Sequence, residues 1–192
     1  MIYRKLVLCL TFFTFSLSLS ASEISYSNFS INYVDVQGFK GNGASLSKEL
    51  GENVFITWST TFFKSDKKIF GKTGEIDVKS VGIGYRSSIN ETSDFVLSAE
   101  YIDPEASSLP IVLEDGYVIT GMIRSMTSDV VELNTGFKLQ RDGEDSHFGL
   151  IFGAANNITD SLALTASYLL YLDAGWPIDG EDIVSLGVRY NF

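Results

Sequence analysis

Apolar and polar residues alternate with a period of two along most of this sequence. The last segment shows the pattern best, with five apolar residues on one face and four polar or small residues on the other: Val184, Leu186, Val188, Tyr190 and Phe192; Ser185, Gly187, Arg189 and Asn191. Successive side chains of a β-strand point to opposite faces, so this repeat predicts a strand with one apolar side and one polar side. Such strands suit a sheet whose two faces meet different surroundings.

Ten segments carry the alternating pattern. They lie at residues 28–33, 43–50, 54–63, 80–86, 95–101, 117–124, 131–139, 147–155, 162–171 and 184–192. The second and the eighth are the weakest, and because strands leave an antiparallel barrel in pairs, losing one hairpin would give eight. Strands in hydrocarbon satisfy their backbone groups only when the sheet closes on itself. The sequence therefore predicts an all-β, closed antiparallel transmembrane barrel of ten strands, with eight as the alternative.

The connections between these segments alternate in length. The stretches LGEN, SSINETSD, MTSD and NNITDS are compact and polar, whereas KSDKKIFGKTGEID, DPEASSLPIVLEDG and DAGWPIDGED are longer. Outer-membrane barrels have short turns on the periplasmic side and longer loops outside. We therefore expect the compact turns and both termini at the periplasmic end.

The N-terminal residues have the organisation of a secretory signal peptide. Arg4 and Lys5 precede an apolar stretch over residues 6–19, and the small residues SLSAS follow. This stretch is shorter than the roughly 18 apolar residues that indicate a membrane-spanning helix. Cleavage is expected after Ser20 or Ser22.

Cleavage at this site divides the chain into a signal peptide, residues 1–22, and an outer-membrane barrel, residues 23–192. The only cysteine, Cys9, lies in the removed part. The net charge is −10, which argues against nucleic acid as a partner because phosphate binding needs clustered lysine and arginine. The acidic residues of the predicted loops have no regular metal-ligand spacing, so we expect neither a metal nor a cofactor.

With its signal peptide and its repeated two-sided strands, the chain resembles the small OmpA/OmpX-type outer-membrane barrels of Gram-negative bacteria. In that family the final strand ends on an aromatic residue, with apolar residues at alternate positions before it, as in the five apolar residues from Val184 to Phe192 described above. The resemblance implies that these residues are an assembly signal for the barrel-assembly machinery. It also implies periplasmic chaperones, membrane lipid and lipopolysaccharide as partners, a monomer, and an interior filled by side chains.

Six charged residues fall on the inward face of the predicted strands: Arg86, Glu100, Arg124, Glu132, Lys138 and Arg189. Arg124 and Glu132 are equally far from a turn near Ser128, so we expect them to face each other across a hairpin. A network of ion pairs filling the lumen is the favoured interpretation, because unpaired charges in a narrow lumen are costly. A gate or a proton path is the alternative.

Two further groups of residues are candidates for function. His147, beside Asp145 and Ser146, is the only histidine and lies near the predicted outer rim. A histidine at the edge of a loop is more often a solvated polar residue than a catalytic one. The second group makes one outer loop basic and suits contact with lipopolysaccharide phosphates: Lys64, Lys67, Lys68 and Lys72.

The sequence favours a non-enzymatic barrel that acts as an envelope component or binds surfaces through its extracellular loops. Two alternatives stay open. One is an outer-membrane enzyme that acts on lipid A or peptide through His147, and the other is a narrow transporter or channel.

Overall fold

The computed structural model describes residues 24–36, 38–69, 71–108, 113–172 and 182–192. The predicted signal peptide at 1–22 lies outside these ranges. No helix among the described residues is long and apolar enough to cross a membrane.

Ten antiparallel strands form one closed barrel, as predicted. They are β1 (Asn28–Val36), β2 (Phe39–Glu49), β3 (Val54–Ile69), β4 (Lys72–Asn90), β5 (Ser93–Ala106), β6 (Gly116–Met126), β7 (Val131–Asp142), β8 (Asp145–Asn157), β9 (Leu162–Tyr171) and β10 (Ile183–Asn191). Each strand pairs with its neighbours in sequence, and β1 pairs with β10 to close the sheet. The two weakest predicted segments are the real strands β2 and β8, so the eight-stranded alternative is wrong.

The alternation in the sequence becomes an alternation of burial in the strands. In β5, three buried residues that point inward alternate with three exposed residues that point outward: Asp94, Val96 and Ser98; Phe95, Leu97 and Ala99. The register also places apolar outward residues of neighbouring strands side by side, as in the row Ile56, Ile83, Ala99, Ile119 and Leu139. An exposed apolar exterior of this kind is stable in the hydrocarbon of a bilayer and not in water.

The four turns that the sequence predicts to be compact lie at one end of the barrel, which we call the short-turn end. Residues 50–53, 91–92, 127–130 and 158–161 connect the strands there, and the same end holds the start of β1 and the end of β10. The start of β1 is tied to the chain terminus, because the Phe192 amide donates to the Ser27 carbonyl at 3.0 Å. This is the end that the sequence assigns to the periplasm.

One predicted loop is instead a pair of strands. The stretch 64–77 was expected to be a long outer loop, but β3 and β4, which are 16 and 19 residues long, continue through it. Gly71, whose φ is 81°, lies in the tight turn that joins them. Backbone pairing from Lys64–Glu75 to Ile69–Lys72, with one register shift, explains why charged side chains do not end these strands.

The outward face of β4 provides a test of membrane depth. Ile83 is 55% exposed within the apolar row, and Ile89 is 54% exposed beside the turn to β5. An arginine facing lipid costs about 2–4 kcal/mol near the bilayer midplane and about 0–1 kcal/mol near the interface. We therefore expect Ile83→Arg to lower the free energy of unfolding in lipid vesicles by that larger amount, as measured by urea titration. Ile89→Arg is the matched control, and equal losses in the two variants would contradict the placement of the apolar row.

Candidate functional site

The lumen contains a cluster of charged residues at the short-turn end. We call it the lower cluster, and it consists of Tyr26, Glu49, Arg86, Asp94, Arg124, Glu132 and Arg189. Its three carboxylates balance its three guanidinium groups. Burial of these charges is stable only because each has an opposite charge within reach.

Glu132 on β7 is the centre of one half of the lower cluster. Its Oε1 accepts a hydrogen bond from Arg124 Nε, and its Oε2 accepts one from Arg189 Nη2, both at 2.7 Å. The Glu132 side chain is 1% exposed. Arg124 is on β6 and Arg189 on β10, so this triad crosses the lumen and joins strands that are not neighbours.

Asp94 on β5 is the centre of the other half. Arg86 Nη1 lies 3.6 Å from Asp94 Oδ2, and Arg86 Nη2 lies 3.0 Å from Glu49 Oε1 on β2. Asp94 Oδ1 accepts a hydrogen bond from Ser88 at 2.9 Å. Arg86 therefore connects the carboxylates of two strands on either side of β3 and β4.

Tyr26 lies between the two halves. Its ring has the Arg86 guanidinium at 4.9 Å and the Arg124 guanidinium at 4.6 Å, and its hydroxyl donates to Asp94 Oδ2 at 3.0 Å. Burial raises the pKa of the Tyr26 phenol well above its ordinary value; the charge of Arg124 opposes this rise, and the charge of Asp94 adds to it. The phenol is therefore a neutral hydrogen-bond donor at neutral pH.

A glycine makes room for the aromatic ring that packs against Tyr26. The Phe55 ring lies 5.3 Å from the Tyr26 ring and covers Gly84 on the next strand. A Cβ atom at Gly84 would come within 2.1 Å of the Phe55 ring, so only glycine permits this approach. Tyr26, Phe55 and Val96 form a small apolar core beneath the charged groups.

The six charges predicted to share one network fall at different levels. Arg86, Arg124, Glu132 and Arg189 belong to the lower cluster, but Arg124 pairs in register with Asn134, so its contact with Glu132 is diagonal and not directly across the hairpin. Glu100 accepts a hydrogen bond from Ser80 at 2.9 Å, and Lys138 lies 6.0 Å above the Tyr171 ring. Within the described ranges neither takes part in a salt bridge.

Distance along the strands explains why Glu100 and Lys138 are separate. Glu100 follows Asp94 by six residues on β5, and Lys138 follows Glu132 by six residues on β7. Six residues of a strand span roughly 20 Å. Alternation in the sequence correctly predicts that these two side chains point inward. It does not predict their height in the lumen, which places them too far from the lower cluster to join it.

The middle of the lumen is lined by small polar residues along β8, β9 and β10. Gly153, Ser167 and Ser185 occupy the same register row on these three strands, and Ser167 is exposed although its side chain points inward. Of the inward residues one step above and below, five are half-buried and Ala155 is buried: Ile151, Thr165, Leu169, Ile183 and Gly187. On β5 and β6, by contrast, most inward residues are buried. The space in the barrel is therefore eccentric: it lies away from β5 and β6 and reaches the β8–β10 wall at Ser167.

His147 lies at the opposite end of the lumen in a packed polar group. Its Nε2 is 3.7 Å from Asp142 Oδ2, and its ring packs edge-on against Tyr171 at 6.4 Å. The Tyr171 hydroxyl donates to Gln140 at 3.0 Å, and Gln140 donates to Asp142 at 3.2 Å. At this end the inward face departs from the polar side that the alternation predicts, because six inward residues of other strands are apolar and buried: Val34, Val36, Phe39, Ile76, Ile102 and Val118.

The predicted lipopolysaccharide-binding lysines lie on the extended β3–β4 hairpin. Lys64 is 3.3 Å from Glu75, and its ammonium lies 5.2 Å from the Phe62 ring. Lys67, Lys68 and Lys72 are exposed at the tip. The five residues proposed as an assembly signal lie on the lipid-facing side of the last strand and at the terminus beyond it: Val184, Leu186, Val188, Tyr190 and Phe192.

No protein-family model and no curated protein matches this sequence. Among solved structures the chain is similar to the KdgM porin in complex with disordered oligogalacturonate, with a TM-score of 0.55 and 8% identity over 86% of this chain and 99% of that one. It is also similar to an outer-membrane channel from Pseudomonas putida F1, with a TM-score of 0.56 and 11% identity over 92% of this chain and all of that one. Both similarities concern the fold.

Together with the apolar exterior, this fold decides the location. The protein is a β-barrel of the outer membrane. Its polar residues that do not face the two aqueous sides are therefore confined to the lumen, where they form the lower cluster and line the eccentric space.

Sequence reasoning missed three members of the lower cluster. Glu49 was on the polar face of its segment, and Asp94 was interpreted only as the end of a turn, although it shares the inward face with Ser98 and Glu100. Tyr26 precedes the first alternating segment, so no period could assign it to the lumen. Alternation alone was sufficient to find Asp94, whereas Tyr26 needed the folded barrel.

The Glu132 triad provides a test of the lower cluster. Glu132→Gln leaves Arg124 and Arg189 buried without a charged partner, and breaking a buried ion pair in this way costs about 3–5 kcal/mol. We expect a fall of that size in the free energy of unfolding, measured by urea titration of the barrel in vesicles. Glu105→Gln removes the partner of Lys79 in an exposed pair and should change little. A Glu132→Gln variant as stable as the wild type would show that the triad does not support the barrel.

Proposed function

We propose that this protein is a narrow outer-membrane channel for small polar solutes. The single observation that carries the proposal is the exposure of Ser167, which points into the barrel from the middle of β9. An inward side chain at that depth is exposed only where the lumen holds open space. The small residues Gly153 and Ser185 beside it extend this space across three strands.

The lining of this space suits uncharged or weakly charged solutes. Hydroxyl groups and glycine backbone line it at the level of Ser167, and Ile151, Leu169 and Ile183 line it one step above. Glu100 and Lys138 contribute one negative and one positive charge at the same general height. A passage with balanced charge gives no strong preference for anions or cations. The narrowness follows from the buried residues that fill the β5–β6 side of the barrel.

The two similar structures support this proposal through the functions in their names. One is a porin bound to an oligogalacturonate and the other is an outer-membrane channel. At 8% and 11% identity neither supplies a solute for this chain. The lumen itself argues against a long anionic substrate, because its arginines are already paired with carboxylates.

Channel activity is tested by blocking the proposed passage. Ser167→Trp places a large ring in the open space, and we expect it to reduce the conductance of the barrel in planar bilayers severalfold. Ala166→Trp adds the same ring at the preceding residue, on the lipid-facing side of β9, and should leave conductance unchanged. An equal effect of both variants would exclude a passage past Ser167.

A chemical measurement separates a wet lumen from a conducting one. The predicted mature chain has no cysteine, because Cys9 lies in the signal peptide. A hydrophilic thiol reagent should therefore label Ser167→Cys in vesicles and leave Ala166→Cys unlabelled. Failure of Ser167→Cys to react would remove the observation on which the proposal depends.

The absence of catalysis is part of the same proposal. Ser146 follows the alternation of β8 and points away from the lumen, so it cannot assist His147, whose side chain points inward. Asp142, Gln140 and Tyr171 pack around His147 and leave it in a structural polar group. Activity toward lipid A or peptide that is lost in His147→Ala would overturn this point.

Binding of lipopolysaccharide at the cell surface is a second candidate function. The observation that favours it is the basic tip of the β3–β4 hairpin, where Lys67, Lys68 and Lys72 are exposed above the apolar exterior of an otherwise acidic chain. The last strand also supports the proposed relationship to the OmpA/OmpX-type barrels, whereas the ten strands depart from the eight of the best-known members. Partners of that family, namely the assembly machinery and periplasmic chaperones, belong to this proposal.

Lipopolysaccharide binding is tested with the three lysines changed to glutamine. We expect weaker binding of the folded barrel to purified lipopolysaccharide, and a smaller dependence of that binding on salt, because the lysines act as point charges toward phosphate. Lys79→Gln is a control that removes one lysine already paired with Glu105. Unchanged binding in the triple variant would exclude the hairpin tip as the contact.

A further inference from the structure

We propose that Tyr26 is a gate residue that closes this channel at the short-turn end. The proposal rests on the proposed channel function. Tyr26 is not part of the barrel wall, because it precedes β1 at Asn28. Its side chain is nevertheless 2% exposed, within the lumen.

The contacts of Tyr26 show that it reaches across the barrel. The residue enters beside β1, whose neighbours are β2 and β10. Its ring and hydroxyl contact Phe55 on β3, Arg86 on β4, Asp94 on β5 and Arg124 on β6. In a barrel of ten strands β5 and β6 lie on the far side from β1. The side chain therefore extends across the lumen at this level, next to the Glu132 triad.

The backbone of the same segment is anchored separately from the ring. The Tyr26 carbonyl accepts a hydrogen bond from Ser47 at 2.7 Å, and the Ser27 hydroxyl accepts one from the Glu49 amide at 3.2 Å. The Ser27 carbonyl accepts one from the Phe192 amide. These bonds hold the base of the side chain on β2 and the chain terminus. The ring can then leave the lumen by rotation about the Cα–Cβ bond of Tyr26, without unfolding of any strand of the barrel.

The ring is held by interactions that are directional and individually weak. Two guanidinium groups lie on it, one hydrogen bond joins it to Asp94, and one aromatic ring packs beside it. The partners remain satisfied when the ring leaves, because Arg86 keeps Glu49, Asp94 keeps Ser88, and Arg124 keeps Glu132. Opening therefore exposes no unpaired charge.

A cleft lined by two partners of the ring is the space that the proposal assigns to its open position. It has a volume of about 710 Å³ and is lined by Ile24, by Arg86 and Asp94 of the lower cluster, and by residues of the turns at 90–94 and 126–129. Ile24 is two residues before Tyr26, and the ring and hydroxyl of Tyr26 contact Arg86 and Asp94. The Tyr26 side chain and the cleft thus share two charged residues of the lower cluster.

The gate is tested by conductance and solute permeation in reconstituted vesicles. Tyr26→Ala should raise both severalfold above the wild type, because the ring that extends across the short-turn end is gone. Tyr85→Ala is the matched control, since it removes a tyrosine that faces lipid near the same end of β4 and should leave both unchanged. The double variant Tyr26→Ala with Ser167→Trp should return conductance to the blocked level.

The outcomes distinguish the gate from the channel. Equal conductance in the wild type and Tyr26→Ala overturns the gate and leaves the channel in place. Silence of the wild type and Tyr26→Ala alike overturns both. If Tyr26→Ala fails to show the gel shift between unboiled and boiled samples that marks a folded barrel, two milder variants replace it. Tyr26→Phe and Asp94→Asn keep the ring but weaken its hydrogen bond, and we expect a smaller rise in conductance; no rise in either overturns the gate.

Discussion

The pairing of β1 with β10 is the constraint on which the rest of this structure depends. Nine register pairs, from Asn28 with Asn191 to Val36 with Ile183, join the first strand to the last. Without this seam the two edge strands would present unpaired backbone groups to hydrocarbon, where no water can satisfy them. Closure also fixes the register between strands. A slip of one residue in that register would turn the apolar side chains of a strand from the lipid to the lumen.

Closure creates an interior in which every polar group must find a partner. The lower cluster solves this at the short-turn end with balanced carboxylates and guanidinium groups, and the Glu132 triad joins β6, β7 and β10 directly across the lumen. Apolar residues and the compact polar group around His147 fill the opposite end. The middle of the β8–β10 wall is different, since small residues such as Gly153 and Ser167 leave space there. The proposed passage is thus the part of the interior that side chains do not fill, and Tyr26 lies below it.

Particular residues show how far sequence reasoning could reach into this interior. Alternation assigned Arg124, Glu132 and Arg189 to the inward face, and the same rule applied to β5 would have added Asp94. The direct hairpin pairing expected for Arg124 and Glu132 failed because the turn centre is displaced, so that Met126 and not Arg124 is opposite Glu132. A shift of two residues keeps the inward face, which is why the two side chains still meet on a diagonal.

The sequence by itself determined the strands, their two faces, the compact turns and the closed class of sheet, since each depends on a local period or on turn residues. Only the tertiary structure decided which inward residues meet. Glu132 and Arg189 are 57 residues apart, and Tyr26 and Asp94 are 68 apart. Those distances are bridged by the curvature and shear of the cylinder, which set the height of each side chain in the lumen. No local pattern encodes that height, so the charged triad, the open β8–β10 wall and the position of Tyr26 became visible only when the barrel closed.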